Sequence, residues 1–166
     1  LPVRGYISCA FSCPFEGPVP PDAVARVARA LVQLGVNEID LGDTIGAAAP
    51  ATTRTLLDAV ITELGPTWKA PERLTLHLHD TFGAAADCAR AALDWGLRSF
   101  DASAGGLGGC PYASRPGHRA PGNLATDRLD HVIREAGLQS SIQPRRLAEA
   151  SALARTLVSA PGEART

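Results

Sequence analysis

Short apolar segments alternate with longer helical patterns along this chain, and the alternation constrains its fold more than any other feature. The predicted strands cover residues 3–9, 36–41, 74–78 and 97–102. The predicted helices cover residues 22–34, 50–64, an alanine-rich stretch ending near 95, 123–136 and 145–159. Strands that alternate with helices of this length predict repeated strand–helix units on a parallel sheet, which is an α/β fold.

Four such units are compatible with a doubly wound sheet or with part of an eight-stranded TIM (β/α)8 barrel. A doubly wound nucleotide-binding fold carries a glycine fingerprint after its first strand, and the sequence has none there. In a barrel, functional residues gather at the carboxyl ends of the strands. The polar loop segments of this chain lie at those ends, at residues 8–16, 42–46, 77–81 and 105–123. The loops therefore favour the barrel.

Composition indicates a globular domain and excludes several kinds of partner. The 166 residues are 45% hydrophobic and 20% charged, with a formal net charge of -1, which is enough apolar material for a sizeable core. The absence of a basic block argues against a nucleic-acid partner, and the absence of a long apolar run argues against a membrane. The four cysteines lack the spacing of a disulfide framework, so we expect reduced thiols in a cytoplasmic setting.

The third predicted strand carries two histidines on one face. Side chains alternate along a strand, so three leucines face one way, and Thr75, His77 and His79 face the other. Two imidazoles at the carboxyl end of a strand suit two ligands of one metal ion. They could instead be ordinary polar residues, hydrogen-bonded inside a barrel. Asp80 and Thr81 favour the metal site, because they can hold the imidazoles in place.

The second predicted strand brings acidic side chains to the same end of the sheet. The same alternation places Glu38 and Asp40 on the inward face, with Ile39 and Leu41 against the helices. Asp43 follows in the loop. It could act as a base toward a metal-bound substrate, although a loop aspartate is more often a helix cap or a turn former.

The stretch GGLGGCPYA, residues 105–113, presents a cysteine directly after two pairs of glycines. Glycine permits backbone conformations that other residues avoid, so the stretch predicts a tightly turned or mobile loop. The loop would then expose Cys110. The alternative is that Cys110 is a small buried residue that packs as a hydrophobic side chain.

Five segments of this sequence resemble the hydroxymethylglutaryl-CoA lyase family. They are, in order, RGYISCAFSCPFEG, EIDLGDTIG, LHLHDTFG, GLGGCPYA and GNLAT, and the resemblance covers residues 3–143. The His-x-His strand is shared with a wider superfamily of metal-dependent acyl-CoA synthases and lyases on the same barrel. The cysteine loop is specific to the lyase branch.

The resemblance implies cleavage of hydroxymethylglutaryl-CoA to acetyl-CoA and acetoacetate, with a magnesium or manganese ion as cofactor and a place in leucine degradation and ketone-body metabolism. His77, His79 and Asn123 match the family's metal ligands. Asp43 matches an aspartate proposed to help remove the substrate's hydroxyl proton. Cys110 matches a loop cysteine thought to protonate the departing acetyl-CoA enolate.

The family's Arg-Asp-Gly run, which supplies an arginine and a metal-binding aspartate, is absent from this sequence. The resemblance therefore implies the last four strand–helix units of the barrel, over residues 1–143, followed by a helix and tail over residues 144–166. The chain also lacks methionine and begins with Leu1, as expected of a segment from a longer lyase. We expect it to be inactive alone.

Two open sheet edges and an apolar interior face would need cover, so the expected partners are the amino-terminal half of the barrel or further copies of the chain, besides an acyl-CoA substrate. Two other functions stay open. One is a non-catalytic assembly module made of a half barrel. The other is an aldolase or acyltransferase on the same barrel that uses another acyl-CoA or ketoacid.

Overall fold

Strands and helices alternate through the computed structural model, which describes residues 1–109 and 122–159. In chain order the elements are β1 (Arg4–Ile7), β2 (Ser12–Cys13), β3 (Gly17–Pro18), α1 (Pro21–Gln33), β4 (Glu38–Asp43), α2 (Pro50–Leu64), β5 (Leu74–Leu78), α3 (Ala85–Trp95), β6 (Phe100–Asp101), α4 (Thr126–Glu135) and α5 (Pro144–Ser159). Short 3-10 turns lie at Pro66–Lys69 and Ala104–Gly106. The predicted α/β fold is confirmed.

The main sheet has four parallel strands in the order β1-β4-β5-β6. Its register places Arg4 beside Glu38, and it places His77 between Gly42 and Asp101. Strands β2 and β3 form a small antiparallel pair within the loop after β1, which the sequence analysis did not predict. The parallel order brings the carboxyl ends of all four main strands to one edge of the sheet.

The hydrophobic core lies between one face of the sheet and the helices. The sheet contributes five side chains that are at most 1% exposed: Ile39, Leu41, Leu74, Leu76 and Leu78. The helices contribute Val24, Ala28, Leu56, Leu57, Val60, Ala89, Ala92 and Leu93. Each fully buried leucine stabilises the fold by about 1.5–3 kcal/mol relative to an exposed one.

The opposite face of the sheet is polar, which corrects the expectation of an apolar interior face. Thr75 hydrogen-bonds Glu38 at 2.6 Å and Ser99 at 2.7 Å, and Arg4 forms ion pairs with acidic side chains of β4 and β6. The reason is the strict alternation of side chains in β4 and β5, which sends the apolar residues to the helices and the polar ones to this face.

The fourth main strand, β6, is shorter than predicted because residues 97 and 98 form hydrogen bonds with the end of α3. Gly96 adopts φ +109°, and its N–H bonds the carbonyls of the last helical turn. The Leu97 N–H then bonds the Ala92 carbonyl at 2.9 Å, and Arg98 donates to the carbonyls of Leu93 and Leu97. These bonds close the helix, so pairing with β5 begins only at Phe100.

Helix α4 begins at Thr126, three residues later than predicted. The intervening residues are extended and pair with other segments: Asn123 bridges His79, and Ala125 bridges Ser103. The Leu124 N–H donates to the Leu78 carbonyl at 2.8 Å. This short extended segment brings Asn123 to the end of β5.

The last helix packs beside the start of the glycine-rich segment. Ser151 of α5 is 3% exposed, and its hydroxyl accepts a hydrogen bond from the Gly105 N–H at 3.1 Å. The predicted domain boundary at residue 143 coincides with the start of α5, and the separateness of residues 144–166 stays a prediction. Within the part of the chain that the structure describes, no helix has the length and apolar character needed to span a bilayer.

Candidate metal centre and active site

A pocket of about 220 Å³ opens at the carboxyl ends of β1, β4 and β5. It is lined by Tyr6, Ile7, Ser8, Asp40, Gly42, Thr44, His77 and His79. The two histidines follow from the alternation of β5, and their ring centroids are 5.3 Å apart with the planes inclined by 46°. The structure therefore places both predicted metal histidines at one pocket.

Asn123, the third predicted ligand, lies beside His79 in an isolated β-bridge. Its Nδ2 donates to the Leu107 carbonyl at 2.8 Å. Its Oδ1 and the Nδ1 of His79 are both buried and have no hydrogen-bond partner among the described residues. A buried polar atom without a partner costs about 1–3 kcal/mol, and a ligand that uses such atoms removes that cost.

The donor set fits a divalent cation. Burial lowers the pKa of His79, with a smaller contribution in the same direction from the neighbouring His77, so the neutral form of His79 is favoured. The neutral imidazole is the form that binds metal ions. Two imidazole nitrogens and one amide oxygen form a mixed N/O set, which suits divalent first-row ions such as manganese.

A second group, which the sequence analysis did not predict, joins β1, β4 and β6 on the polar face. One Arg4 nitrogen lies 3.0 Å from Asp101 Oδ1 and 3.4 Å from Asp40 Oδ2, and the other lies 2.7 Å from Glu38 Oε1. Asp101 Oδ2 is 3.7 Å from His77 Nδ1. The alternation already placed Glu38 and Asp40 on this face, and the same rule applied to the first and fourth strands would have added Arg4 and Asp101.

Asp40, His77 and Asp101 form a candidate metal-binding group, because one ligand atom from each lies within 4.8 Å of the others. The Arg4 guanidinium already supplies positive charge to both carboxylates. A cation bound by this group would have to share the two carboxylates with Arg4. The structure thus offers a candidate metal group next to the predicted ligand set, with His77 common to both.

Asp40 is fully buried, and burial raises its pKa to about 7, with a further contribution from the charge of Asp101. Its unfolded pKa is near 3.8. Between these values the unfolded chain releases a proton that the folded chain keeps, so stability falls as the pH rises from about 4 to about 7. Above pH 7 Asp40 is ionised in both the folded and the unfolded chain, so the whole cost of burying its charge lowers the stability of the fold.

We expect Asp40→Asn to raise the free energy of unfolding at pH 8 by roughly 2 kcal/mol, because a neutral amide avoids the cost of a buried charge. The gain should shrink below pH 7 and vanish near pH 4. Urea unfolding of the chain assembled with its complementary half barrel, in the presence of a chelator and followed by tryptophan fluorescence, measures the difference. Glu72→Gln alters an exposed carboxylate and should change stability by less than about 0.5 kcal/mol. A variant that is less stable than the parent at pH 8 would contradict this account.

Asp43, the predicted base, lies at the last position of β4 and is 1% exposed. Its carboxylate accepts hydrogen bonds from the N–H groups of Ala47 at 2.9 Å and Ala48 at 3.0 Å. It pairs with Leu78 in the register, which places it on the helix-facing side of the sheet, and it does not line the pocket. Burial raises the pKa of Asp43. The structure thus brings together His77, His79 and Asn123 but gives Asp43 a loop-bracing position.

Cys110 lies outside the described residues. Its neighbour Gly109 forms an antiparallel bridge with Gly122, directly before Asn123. The described ends of the glycine loop are therefore joined beside the third predicted metal ligand.

The fold and this site define an α/β protein whose candidate functional residues lie at the carboxyl ends of parallel strands. The chain belongs to the HMGL-like family, whose model matches residues 4–154.

Individual relatives are similar along nearly all of this chain. Hydroxymethylglutaryl-CoA lyase of Pseudomonas mevalonii is 46% identical over 140 residues, covering 84% of this chain and 44% of that protein. The mitochondrial hydroxymethylglutaryl-CoA lyase of Mus musculus is 43% identical over 150 residues, covering 90% and 43%. The crystal structure of the HMG-CoA lyase from Brucella melitensis matches with a TM-score of 0.84 and 44% identity, over 95% of this chain and 52% of that one. The chain spans less than half the length of the two lyases from Pseudomonas mevalonii and Mus musculus.

Proposed function

We propose that this chain contributes to a metal-dependent carbon–carbon lyase that cleaves hydroxymethylglutaryl-CoA to acetyl-CoA and acetoacetate. The observation that carries the proposal is the convergence of His77 and His79 at one pocket with the buried Oδ1 of Asn123 beside them. The relatives' names support the choice of substrate.

The proposed architecture is a partial TIM barrel made of the last four strand–helix units plus the terminal helix. Three observations support it: the parallel order β1-β4-β5-β6, the helices packed on one face, and the polar opposite face that would line the barrel interior. The HMG-CoA lyase of Brucella melitensis is matched over 52% of its length. The complementary strands would pair with the edges of β1 and β6 that have no partner strand among the described residues.

His77, His79 and Asn123 would hold the divalent ion, which we propose to be magnesium or manganese. When bound, such an ion supplies Lewis-acid polarisation of substrate oxygens. The residues of the chain itself perform the remaining tasks. Asn123 offers an amide oxygen and the two histidines offer imidazole nitrogens, so these three proposed ligands add no negative charge of their own beside an anionic substrate.

Cys110 is the proposed general acid, which delivers a proton to the departing acetyl-CoA enolate. A general acid of this kind contributes about 10²–10⁴-fold to a rate. The resemblance implies Asp43 as the base for the substrate hydroxyl, although its carboxylate faces the helix layer and does not line the pocket. Its raised pKa favours that role, whereas its two hydrogen bonds to the loop after β4 favour a role in holding that loop.

The proposed setting is cytoplasmic. Relatives named cytoplasmic and mitochondrial both match this chain, so the compartment stays a prediction.

The test is release of acetyl-CoA from hydroxymethylglutaryl-CoA by the chain mixed with an amino-terminal half barrel that carries the Arg-Asp-Gly run. We expect activity from the mixture and none from either part alone. Cleavage of a different acyl-CoA or ketoacid instead would indicate an aldolase or acyltransferase on the same barrel. A stable complex without activity toward any of these substrates would indicate a non-catalytic assembly module.

We expect the chain by itself to be dimeric, aggregated or poorly folded. Strands β1 and β6 each pair on only one side within the described residues, and Val3 and Tyr6 beside the β1 edge are 53% and 63% exposed. Unpaired edges of this kind recruit further strands. Analytical ultracentrifugation at micromolar concentration measures the outcome. A cooperatively unfolding monomer would refute the expectation, whereas the complementary half should convert the chain to a defined complex.

A further inference from the structure

The carbonyl of Leu107 determines which side-chain atom Asn123 leaves free. Asn123 Nδ2 donates to that carbonyl at 2.8 Å, and the Asn123 backbone N–H donates to the Gly108 carbonyl at 2.9 Å. The nitrogen side of the amide is therefore engaged. The remaining atom, Oδ1, is buried and has no hydrogen-bond partner among the described residues.

This contact requires two backbones to approach closely without side chains between them. A Cβ added at Gly108 would lie 2.8 Å from Asn123 Nδ2. A Cβ added at Gly122 would lie 2.2 Å and 2.3 Å from the carbonyl oxygens of Gly106 and Gly108. Real Cβ atoms do not approach other atoms so closely, so glycine is required at Gly122, where the contact is with backbone, and a side chain at Gly108 would displace the Asn123 amide.

The same pair of segments is fixed to the end of β5. The Asp80 N–H donates to the Gly122 carbonyl at 3.0 Å, and the Leu124 N–H donates to the Leu78 carbonyl at 2.8 Å. Asn123 lies between these two bonds and bridges His79. The amide of Asn123 is thus held both toward the glycine segment and toward the strand that carries the two histidines.

We propose that the backbone of residues 106–109 is a positioning element for Asn123, which turns Oδ1 toward the metal, and that Gly108 is the positioning residue that permits the contact. The inference rests on the proposed metal site. It gives the glycines of the cysteine loop a second task besides loop flexibility. Because Gly109 also bridges Gly122, the segment that orients the ligand leads directly into Cys110.

The test is Gly108→Ala, measured on the chain assembled with its complementary half barrel. We expect manganese affinity, measured by calorimetry, to fall about 10- to 100-fold, the usual cost of disturbing a residue that orients a metal ligand. In the metal-free protein, the NMR signal of the Asn123 side-chain amide should shift as its bond to Leu107 is disturbed. That second readout is independent of any metal.

Gly137→Ala is the matched control. Gly137 has φ +73° against +90° for Gly108, so both substitutions strain the backbone, but nothing lies within 4 Å of a Cβ at Gly137. Gly137→Ala should leave both the affinity and the Asn123 signal unchanged. Should Gly108→Ala not fold, Asn123→Asp replaces it: the variant keeps an oxygen and adds charge but cannot donate to Leu107, and we expect weaker binding. Tighter binding by Asn123→Asp would overturn the inference.

The outcomes separate the inference from the proposed site. If Asn123→Ala weakens manganese binding and Gly108→Ala does not, the ligand set stands and the positioning inference is wrong. If His77→Ala weakens binding but Asn123→Ala does not, the proposed ligand set is wrong. In that case the NMR signal tests the contact between Asn123 and the Leu107 carbonyl by itself. An unchanged Asn123 signal in Gly108→Ala would overturn the role of Gly108 in that contact.

Discussion

Replacing His77 or His79 with alanine should raise the dissociation constant for manganese by more than about 100-fold, since loss of a ligand should exceed the 10- to 100-fold cost of losing its outer-sphere partners. Both imidazoles face one pocket, and the described residues offer Asn123 as the third member of the set. The loss of either imidazole leaves this chain with one histidine and Asn123 as proposed ligands, beside the aspartate that the Arg-Asp-Gly run would add. Isothermal titration of the assembled protein measures the effect.

His131→Ala is the matched control, because His131 lies on the exposed side of α4 and pairs with Glu135 at 3.2 Å. It should bind manganese as tightly as the parent.

Binding should also weaken as the pH falls, since protonated imidazoles do not coordinate. Burial lowers the pKa of His79, which favours the metal-binding neutral form of that side chain. Unchanged affinity in both pocket variants would show that the metal site is misassigned.

The strand–helix order was predictable from the sequence because each element carries its own periodicity. Helix α2 and strand β5 begin and end where predicted, at Pro50–Leu64 and Leu74–Leu78. The missed features depend on hydrogen bonds between segments. The pairing of β2 with β3 and the late start of α4 both follow from such bonds, which no local pattern encodes.

The two histidines were predictable because His77 lies in β5 and His79 directly follows it, where the alternation of side chains continues. Predicting the group around Arg4 also required the register between strands. Its members come from three strands, and only the register places Arg4 beside Glu38 and Asp101 beside His77. Sequence patterns fix the face of each strand but not the offset between strands. The candidate site was therefore predictable strand by strand and not as a whole.

Asp43 shows how two residues of strand length change an interpretation. As a loop residue it could point anywhere, and the sequence left base and turn former both open. The structure extends β4 through Asp43, so the alternation of Ile39 and Leu41 continues to it and turns its carboxylate toward the helix layer. There the N–H groups of Ala47 and Ala48 hold it.

Replacing Cys110 with serine should lower the rate of acetyl-CoA release by about 10²–10⁴-fold in the assembled protein. The departing enolate must receive a proton, and a serine hydroxyl is a far weaker acid than a thiol of similar size. The substrate's KM should change little, because the proposed role of the thiol is proton delivery and not binding. Steady-state kinetics with hydroxymethylglutaryl-CoA separate kcat from KM.

Cys13→Ser is the control, since Cys13 lies in β2 and is a free, half-buried thiol that does not line the pocket. Its rate should match that of the parent.

The chain without a complementary half should show no activity even with Cys110 intact, because it lacks the arginine of the Arg-Asp-Gly run. Loss of one such charge-stabilising donor costs about 10²–10³-fold. Full activity of Cys110→Ser would exclude the thiol as proton donor. Full activity of the chain alone would show that the residues from Leu1 to Thr166 already contain everything that cleavage requires.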